Sequence, residues 1–467
     1  MTNALIGLEP EAVWKHFGAL LSIPRPSGSE AAAADYIVGV AEGLGLEWKR
    51  DRVNNVLVRR PGRGNGVVLQ AHTDMVADRL PDCPTDPAVD GVKAELRDGW
   101  ITATGTTLGA DNGMGVAIML AMLESPHPNL PPLECLFTVD EERGLLGARV
   151  FPPEWLTHRK LVNLDSEEEN SICIGCAGGR DIIVRKPLEW ESGVVPVSSL
   201  NVRGLSGGHS GMEINRGRAN AISIAARVCR QLGLRVAGFS GGSKHNAIPR
   251  DAQVLVAGEV SPVGLSEVCD EIRREYAGIE NGMVITAAPS SPRKVLTASS
   301  STGLLDLLLA LPHGVAAMSG SIPGLVQTSC NLAIARTDEE TAEVTSSVRS
   351  SIDSSRDALI ERIVSIARLS GCSHEAGEGY PGWTPDPSSV LLAHARKACR
   401  EYYGTDPGVV AIHAGLECGI IGKRVGGMDM VSMGPDIRDV HIPGERVRVS
   451  SVQAFVGMLV NLLENLS

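Results

Sequence analysis

Apolar runs of strand length alternate with segments of helical apolar spacing in the first third of the chain. Helical spacing covers residues 10–22, 29–44 and 112–125. Four short apolar runs accompany these segments: 56–60 (VLVRR), 67–71 (VVLQA), 133–139 (LECLFTV) and 161–164 (LVNL). This alternation predicts an α/β fold with a mostly parallel sheet flanked by helices.

The pattern changes after the sequence GCAGG at residues 175–179. Three segments then alternate apolar and polar side chains, as antiparallel strands with one solvated face do: 182–190, 199–205 and 252–260. Helical spacing returns near 216–233 and 338–370, and a linker at 375–389 precedes a last α/β stretch. We therefore predict a first domain in two parts, residues 1–180 and 381–467. An inserted α+β domain, residues 181–380, lies between these parts in the sequence.

Composition and charge narrow the class of partner. The 467 residues are 43% hydrophobic and 21% charged, and the formal net charge of −12 argues against nucleic acid or an anionic membrane as partner. Apolar runs fall well short of the ~20 residues that a membrane span needs. The first residues lack a basic stretch followed by an apolar core, so we expect no signal peptide and a cytoplasmic protein. The ten scattered cysteines, including CIGC at 173–176, are expected to be reduced and mostly buried.

Acidic and imidazole side chains follow the predicted strands or begin the next helix. In chain order they are His72 and Asp74, Asp111, Asp140 to Glu142, Asp165, and His441. Each cluster alone also fits an ordinary role, such as a helix N-cap at Asp111 or a solvated acidic turn. Together they predict one metal site, because ligands in open α/β sheets lie beyond the carboxyl ends of the strands. Two imidazoles with several carboxylates suit zinc, with manganese or cobalt as alternatives.

Charge counting favours two metals over one. Asp111, Glu142 and Asp165 supply three negative charges against four positive charges from two divalent ions, and a bridging hydroxide would complete neutrality. Two metals ~3.5–4 Å apart generate such a hydroxide near neutral pH and polarise a carbonyl. The spare carboxylate, Glu141, would take the proton of the water and pass it to a leaving amine. The residues thus predict hydrolysis of an amide bond.

Nine strings along the chain carry a family resemblance: AHTDMV, TTLGADNG, DEERGLLGA, NLDSEEE, GCAGG, GGHSGMEI, NAIPR, HAGLECG and MVSMGP. They resemble the aminoacyl-histidine dipeptidases, also called cytosol non-specific dipeptidases, a branch of the co-catalytic zinc peptidases that includes carnosinases. The match runs in the expected order from about residue 15 to the C-terminus. It implies a zinc-peptidase-like catalytic domain with two zinc ions and an inserted α+β lid domain.

The resemblance also implies a role for individual residues. One zinc would be held by His72, Asp111 and Asp165, and the other by Asp111, Glu142 and His441. Two catalytic residues are implied beside these ligands: Glu141 as general base and Asp74 as the hydrogen-bond partner of His72. In such relatives the peptide bond between Asp111 and Asn112 is cis, which we expect here by analogy.

Five further residues are implied to contact the substrate: His209, Asn246, Arg250, Arg349 and Glu417. His209 would polarise the scissile carbonyl, and Asn246 and Arg250 would bind the substrate carboxylate, with Arg349 as a second candidate. Glu417 would bind the free amino terminus. Ordinary packing or salt bridges are the alternative for each. The loop after His441 reads IPGERV where relatives more often have Ser-Pro-Asp-Glu, which puts a substrate contact by this loop in doubt.

The leading hypothesis is a di-zinc dipeptidase that acts on unblocked L-dipeptides, Xaa-His and β-Ala-His among them. Aromatic residues make up 3% of the chain, which favours broad specificity over a stacking pocket for histidine. One alternative is an N-acyl-amino-acid amidohydrolase or a tripeptidase on the same scaffold. Another is a non-catalytic metal-binding protein. A homodimer formed by pairing of exposed lid strands is expected as an alternative to a monomer.

Overall fold

A computed structural model describes residues 3–466, and these residues divide into two compact units. The first unit runs to Gly175 and resumes over Trp383–Ala411 and from Leu416 onward. The second unit comprises Cys176–Gly382 and Ile412–Gly415. The sequence placed the short Ile412–Gly415 segment in the second part of the first domain, so its grouping with the second unit is a difference. Residues 1, 2 and 467 of the predicted first domain lie outside the described residues.

The helices and strands follow in chain order. Up to the end of the first unit's first part they are α1 (Glu11–Leu21), α2 (Ala31–Gly43), β1 (Glu47–Arg50), β2 (Val56–Arg60), β3 (Val67–His72), β4 (Ala94–Arg97), β5 (Trp100–Ala103), α3 (Ala110–Glu124), β6 (Leu133–Thr138), α4 (Leu146–Val150), β7 (Lys160–Asn163) and β8 (Ser171–Cys176). The second unit contains β9 (Gly178–Pro187), β10 (Val195–Arg203), α5 (Ala221–Gln231), β11 (Val236–Gly241), β12 (Ala252–Ala257), α6 (Pro262–Glu275), β13 (Val284–Arg293), α7 (Ala298–Ala310), β14 (Gly314–Met318), β15 (Val326–Thr337), β16 (Thr341–Ser350), α8 (Asp353–Leu369) and β17 (Ser373–Ala376). The chain ends with α9 (Val390–Tyr403), β18 (Gly408–Ile412), α10 (Glu417–Arg424), β19 (Asp429–Ser432), β20 (Ile437–Arg438), β21 (Arg446–Arg448) and α11 (Val449–Glu464).

The main sheet of the first unit has, over the described residues, the strand order β1-β2-β6-β3-β7-β19-β8-β18. Its centre is parallel, since β6, β3, β7 and β19 pair in parallel register, whereas β1, β2 and β8 pair antiparallel with their neighbours. Every side chain of β3 and β6 is buried, as expected for parallel strands covered on both faces. The predicted α/β fold with helices flanking the sheet is confirmed, with antiparallel strands towards its edges.

Helix α3 is buried along most of its length. All residues from Asn112 to Leu123 are buried, and a helix that is apolar all round belongs in a core. The helix starts after Gly109, whose φ of 73° is the left-handed conformation that glycine adopts without steric cost. Asp111 therefore lies at the start of a buried helix, although its own φ and ψ of −78° and 112° are not helical. A smaller sheet with the strand order β20-β21-β5-β4 also belongs to the first unit.

The second unit is built on an antiparallel sheet. Within the described chain its strand order is β13-β10-β12-β11-β15-β16-β9-β17, and β14 also pairs with β15. Alternate residues of β12 are buried, so one face of the sheet covers a core. That core includes Ile222 of α5 and Leu304 of α7, both nearly inaccessible to water.

One element of the second unit differs from the sequence prediction. The helical pattern at 338–370 was wrong over its first part, where β16 forms and α8 begins only at Asp353. Strand alternation is hard to read there because Ser346 and Ser347 are both buried in β16 despite being polar. The two apolar residues Val344 and Val348 are four positions apart, which imitates a helix.

Two predictions about the whole chain can be compared with the structure. No helix within residues 3–466 combines the length and apolar character needed to cross a membrane. Nine of the ten cysteines are buried and Cys83 is partly exposed, and all ten are thiols. The expected burial of most cysteines is therefore confirmed.

Candidate metal centre

The structure brings all five candidate metal ligands together at one edge of the main sheet. His72 is the last residue of β3, Asp165 follows β7 and Glu142 follows β6. Asp111 lies in the first turn of α3, and His441 lies in the loop between β20 and β21. The convergence follows from the parallel sheet, in which the carboxyl ends of neighbouring strands share one edge.

The five side chains form two groups that share Asp111. His72 Nε2 is 3.1 Å from Asp111 Oδ1 and 3.3 Å from Asp165 Oδ1. His441 Nε2 is 3.0 Å from Asp111 Oδ2 and 3.1 Å from Glu142 Oε2. In each group of three, the ligand atoms lie within 4.8 Å of one another. Asp111 thus directs one carboxylate oxygen to each group, as a bridging ligand does.

The charges around the two histidines fit a site for cations. Burial disfavours the charged form of His72, but Asp165 and Asp111 outweigh burial and hold its pKa well above the usual value. Hydrogen bonds to Asp111 and Glu142 raise the pKa of His441 to about 11. Glu142 Oε1 is buried and has no hydrogen-bond partner among the described residues, so an acceptor oxygen is left over. Two imidazoles and three carboxylates in these positions fit a pair of divalent metal ions.

Asp74 holds the metal-facing residues in place. Its Oδ1 atom lies 3.3 Å from His72 Nδ1 and accepts the backbone N–H of Glu141 at 3.0 Å. Its Oδ2 atom accepts from Ser27 Oγ at 2.7 Å and from the backbone N–H of Glu142 at 3.2 Å. Burial alone would raise the pKa of Asp74, but the hydrogen bonds from His72 and Ser27 lower it to about 2. Asp74 therefore stays ionised and fixes the His72 ring.

Glu141 lies beside both groups. Burial raises the pKa of Glu141 well above the usual range, and the nearby carboxylates of Asp165 and Glu417 add to this effect. A carboxyl group with a raised pKa suits proton transfer near neutral pH. The side chains of Glu141, His72 and Glu142 also lie close enough together to hold a metal ion. Its position alone therefore fits a base and a ligand equally.

A further acidic group in this region has an ordinary structural explanation. Glu30, Asp74 and Asp140 lie close enough together to hold an ion, and all three are buried. However, Glu30 Oε1 accepts the backbone N–H groups of Gly28 and Asp140 at 2.7 and 3.0 Å. Asp140 receives Arg143 Nε at 2.6 Å. The carboxylates of this group already have protein partners.

Glu417 begins α10 and is completely buried in the first unit. Its Oε2 atom accepts from Gln70 Nε2 at 2.5 Å and from Thr138 Oγ1 at 2.6 Å. Its Oε1 atom has no hydrogen-bond partner among the described residues, and burial raises the pKa of Glu417 to about 7. The sequence analysis missed Gln70 and Thr138. The signal was present, since each interrupts an apolar strand with a polar side chain.

His209 belongs to the second unit, as do the other candidates in the lid strings. The backbone N–H groups of Gly211 and Met212 donate to His209 Nδ1 at 3.2 and 3.1 Å. The neutral ring therefore carries its proton on Nε2. Burial lowers the pKa of His209 to about 4, and the positive charge of Arg349 contributes. The ring is thus a neutral donor at physiological pH.

The remaining substrate-binding candidates of the second unit each form a hydrogen bond within that unit. Arg349 is 7% exposed and donates through Nη1 to Tyr380 Oη at 3.0 Å. Arg250 Nε donates to the carbonyl of Leu205 at 3.2 Å, and Arg250 lines a cavity of about 500 Å³. The backbone carbonyl of Asn246 accepts the N–H of Ser210 at 2.9 Å. The segments of His209 and Asn246 therefore run side by side.

Known proteins similar to this chain include several peptidases. A cytosol non-specific dipeptidase of Escherichia coli (strain K12) is 37% identical in a comparison that covers 99% of this chain and 99% of that protein. An aminoacylhistidine dipeptidase from Vibrio alginolyticus has a crystal structure with a TM-score of 0.90 and 37% identity, covering 99% of this chain and 98% of that one. A tripeptidase from Staphylococcus aureus shares the fold, with a TM-score of 0.59 and 16% identity over 98% and 99% of the two chains.

These matches confirm the resemblance inferred from the sequence strings. The peptide bond between Asp111 and Asn112 is cis, as that resemblance implied. The sequence model of Peptidase family M20/M25/M40 matches residues 68–465, a range that contains every candidate site residue. This chain belongs to Peptidase family M20/M25/M40.

Proposed function

We propose that this chain is a dipeptidase that hydrolyses unblocked L-dipeptides, Xaa-His and β-Ala-His among them, at a centre of two divalent metal ions. Zinc is the first choice, with manganese and cobalt as alternatives. The observation that carries the proposal is Asp111, whose two carboxylate oxygens each face a different histidine-containing group. The dipeptidases that are 37% identical over nearly the whole chain support the substrate class.

The proposed roles follow from the contacts within the first unit. When bound, two divalent ions supply Lewis-acid polarisation of a carbonyl and lower the pKa of a water molecule. His72, Asp111 and Asp165 would hold one ion, and Asp111, Glu142 and His441 the other. Asp74 Oδ1, 3.3 Å from His72 Nδ1, would keep the proton on Nδ1 and so leave Nε2 free to bind. Glu141 would accept the proton of the attacking water and deliver it to the leaving amine.

Glu417 is our candidate for binding the free amino terminus of the substrate. Gln70 and Thr138 occupy one carboxylate oxygen, and the other is buried without a partner. An ammonium group is a strong donor for such an oxygen. An N-acylated substrate has no ammonium group, so this assignment favours a dipeptidase over an N-acyl-amino-acid amidohydrolase.

For the second unit we propose the roles that the resemblance implied. His209 would donate its Nε2–H to the oxygen of the scissile carbonyl, a role that its neutral tautomer supports. Asn246 and Arg250 would bind the substrate carboxylate, with Arg349 as a second guanidinium. The lid function of residues 181–380 and a homodimer remain predictions. We also propose a cytoplasmic location, in keeping with the name of the E. coli relative.

The proposal can be tested with purified protein and a small substrate panel. β-Ala-His, two Xaa-His dipeptides and an apolar dipeptide should be hydrolysed, whereas N-acetylated dipeptides and tripeptides should not. A strong chelator should abolish hydrolysis, and zinc, manganese or cobalt should restore it. Hydrolysis that survives metal removal, or that remains absent after each metal is returned, would contradict the proposal. Preference for the acetylated substrates would instead support the amidohydrolase alternative.

A further inference from the structure

Glu445 lies in the same loop as His441, but its carboxylate is buried against the loop that leads into α3. Glu445 is only 2% exposed. Its Oε2 atom accepts the backbone N–H groups of Leu108 and Gly109 at 2.8 and 2.9 Å. Its Oε1 atom accepts the backbone N–H of Asp111 at 3.1 Å. Three backbone donors thus converge on one carboxylate, as in an anion-binding nest.

The backbone of Glu445 is fixed as firmly as its side chain. Its N–H donates to the carbonyl of Ile442 at 3.1 Å, which closes a turn directly after His441. Its carbonyl accepts from Thr102 Oγ1 at 3.0 Å. Glu445 therefore connects the turn that carries His441 to the segment that carries Asp111.

The His72 side of the centre has a different anchor. Arg25 is 1% exposed and donates to the carbonyls of Thr73 and Asp74 at 3.0 and 3.1 Å, and to the carbonyl of Gly109 at 2.5 Å. Arg25 thus holds the loop after His72 against the Asp111 segment. His72 has in addition the hydrogen bonds of strand β3.

His441 lacks comparable support. It lies outside the strands, its φ of 64° is left-handed, and its side chain is 48% exposed. A half-exposed ligand in a loop depends on the contacts that fix the loop. The carboxylate of Glu445 supplies such a contact, and its partner is the backbone of the shared ligand itself.

A buried carboxylate that accepts backbone N–H groups can also be a simple staple between loops. Glu134 is such a staple in the first unit: it is 1% exposed and accepts the N–H groups of Thr157 and His158 at 2.9 and 3.1 Å, and it also pairs with Arg59 Nε at 3.2 Å. Glu134 lies near the start of β6, at the opposite end of the strand from the metal centre. Glu445 differs because Asp111 is among its donors and His441 shares its turn.

We infer that Glu445 is a positioning residue that sets the spacing between Asp111 and His441 and thereby the affinity of the Asp111, Glu142 and His441 group for its metal ion. This inference rests on the proposed function, because it assumes that each group binds one ion. It requires that the two ions respond differently when Glu445 is changed. The His72 group keeps its strand and Arg25, whereas the His441 group loses its anchor.

The substitution Glu445→Gln tests this directly. The amide keeps the size of the side chain but turns one acceptor into an NH2 group, which then faces a backbone N–H. We expect the affinity of the Asp111, Glu142 and His441 group for its ion, here called the second metal ion, to fall by about 10–100-fold. Losses of this size follow when a residue that hydrogen-bonds to a metal ligand is removed. The first ion should bind as in the parent protein. Titration of chelator-stripped protein with Co²⁺ against a chromophoric chelator measures both affinities, and the visible Co²⁺ spectrum reports each site.

Glu134→Gln is the matched control, because it makes the same chemical change at a buried staple far from the centre. It should lower the melting temperature and leave both metal affinities unchanged. Equal losses of affinity in the two variants, or two unchanged affinities in Glu445→Gln, would overturn the inference while the proposed function stands. If the parent protein binds fewer than two ions, the proposed function fails and the inference fails with it.

A milder variant covers the case in which Glu445→Gln does not fold. Glu445→Asp keeps the charge but shortens the side chain, so the carboxylate reaches fewer of its three donors. Its affinity for the ion of the Asp111, Glu142 and His441 group should be lower than that of the parent protein, while its affinity for the other ion stays at the parent value. A second affinity equal to that of the parent protein would overturn the inference.

Discussion

His441 in the first unit and His209 in the second unit have opposite electrostatic surroundings. In the first unit, Asp111 and Glu142 raise the pKa of His441 to about 11. In the second unit, burial together with Arg349 lowers the pKa of His209 to about 4. The first environment stabilises positive charge, whether a proton or a metal ion carries it. The second environment keeps the imidazole neutral, which suits a hydrogen-bond donor to an oxygen atom.

The contrast extends to a further histidine of the second unit. Burial and the charge of Arg349 lower the pKa of His413 to about 3, and its Nε2 atom is 2.7 Å from Ser329 Oγ. The same side chain is therefore used in two chemically distinct ways within one chain. Carboxylates near a histidine favour its charged form, and a guanidinium near it favours its neutral form.

The largest effect that separates these two kinds of site is expected for Glu141→Gln in the first unit. The amide cannot accept the proton of a water molecule, so kcat should fall by about 10²–10⁴-fold. Metal stoichiometry should stay at the parent value, because Glu141 is assigned to proton transfer and not to ligation. Steady-state kinetics and metal analysis of the purified variant measure the two quantities.

Glu168→Gln provides the matched control for this change. Glu168 is exposed and follows Asp165 along the chain, so the same substitution there should leave kcat and metal content unaltered. A parallel loss of activity and of one metal ion in Glu141→Gln would show that Glu141 is a ligand. That outcome would favour the group of His72, Glu141 and Glu142.

A smaller effect is expected for His209→Ala in the second unit. Removal of one donor to a developing oxyanion costs about 10²–10³-fold in kcat. The affinity for metal ions should not change, because His209 is assigned to substrate binding and is not one of the proposed metal ligands. Loss of bound metal in His209→Ala would contradict the distinction between a cation site in the first unit and a neutral donor in the second. His374→Ala, at an exposed histidine of β17, should leave both properties unchanged.

The sequence predicted that the five candidate ligands converge, because most of them are tied to strand ends. His72, Glu142 and Asp165 each follow an apolar run, and a parallel sheet necessarily gathers such positions at one edge. Only the chemistry of the residues and the order of the strands were needed. His441 was harder to place, since it reaches the same edge from a loop after the long insertion.

Residues that act through the backbone could not be predicted in this way. Arg25 and Glu445 come from opposite ends of the chain and bind carbonyl and N–H groups of residues 108–111, which any sequence could supply. The Pro-flanked Arg25 in SIPRPS offered at most a hint. The helical interpretation of 338–350 failed because buried serines hide the alternation of β16.

The smallest effect concerns the stability of the second unit rather than its chemistry, and it is expected for Asn220→Ala. Asn220 is buried and is the N-cap of α5: its Oδ1 atom accepts the N–H groups of Ile222 and Ser223 at 2.9 and 3.3 Å. Its Nδ2 atom donates to the carbonyl of Leu332 on β15 at 2.8 Å and lies 3.2 Å from His313 Nδ1. Alanine leaves these buried groups unpaired, so the free energy of unfolding should fall by about 1–3 kcal/mol. Denaturant unfolding measures this loss, and kcat should be unchanged.

Ser261→Ala distinguishes the cap from its buried link to the sheet. Ser261 is an exposed N-cap of α6 that accepts only the N–H of Gly264 among its described hydrogen bonds, at 3.2 Å. Water can replace that bond, so the loss should be about 0.5–1 kcal/mol. If Asn220→Ala costs no more than Ser261→Ala, the contacts of Asn220 Nδ2 with Leu332 and His313 contribute nothing to stability. If Asn220→Ala instead lowers kcat at full occupancy of the folded state, the stability of α5 and the chemistry assigned to His209 are coupled, and the two cannot be treated as separate properties of the second unit.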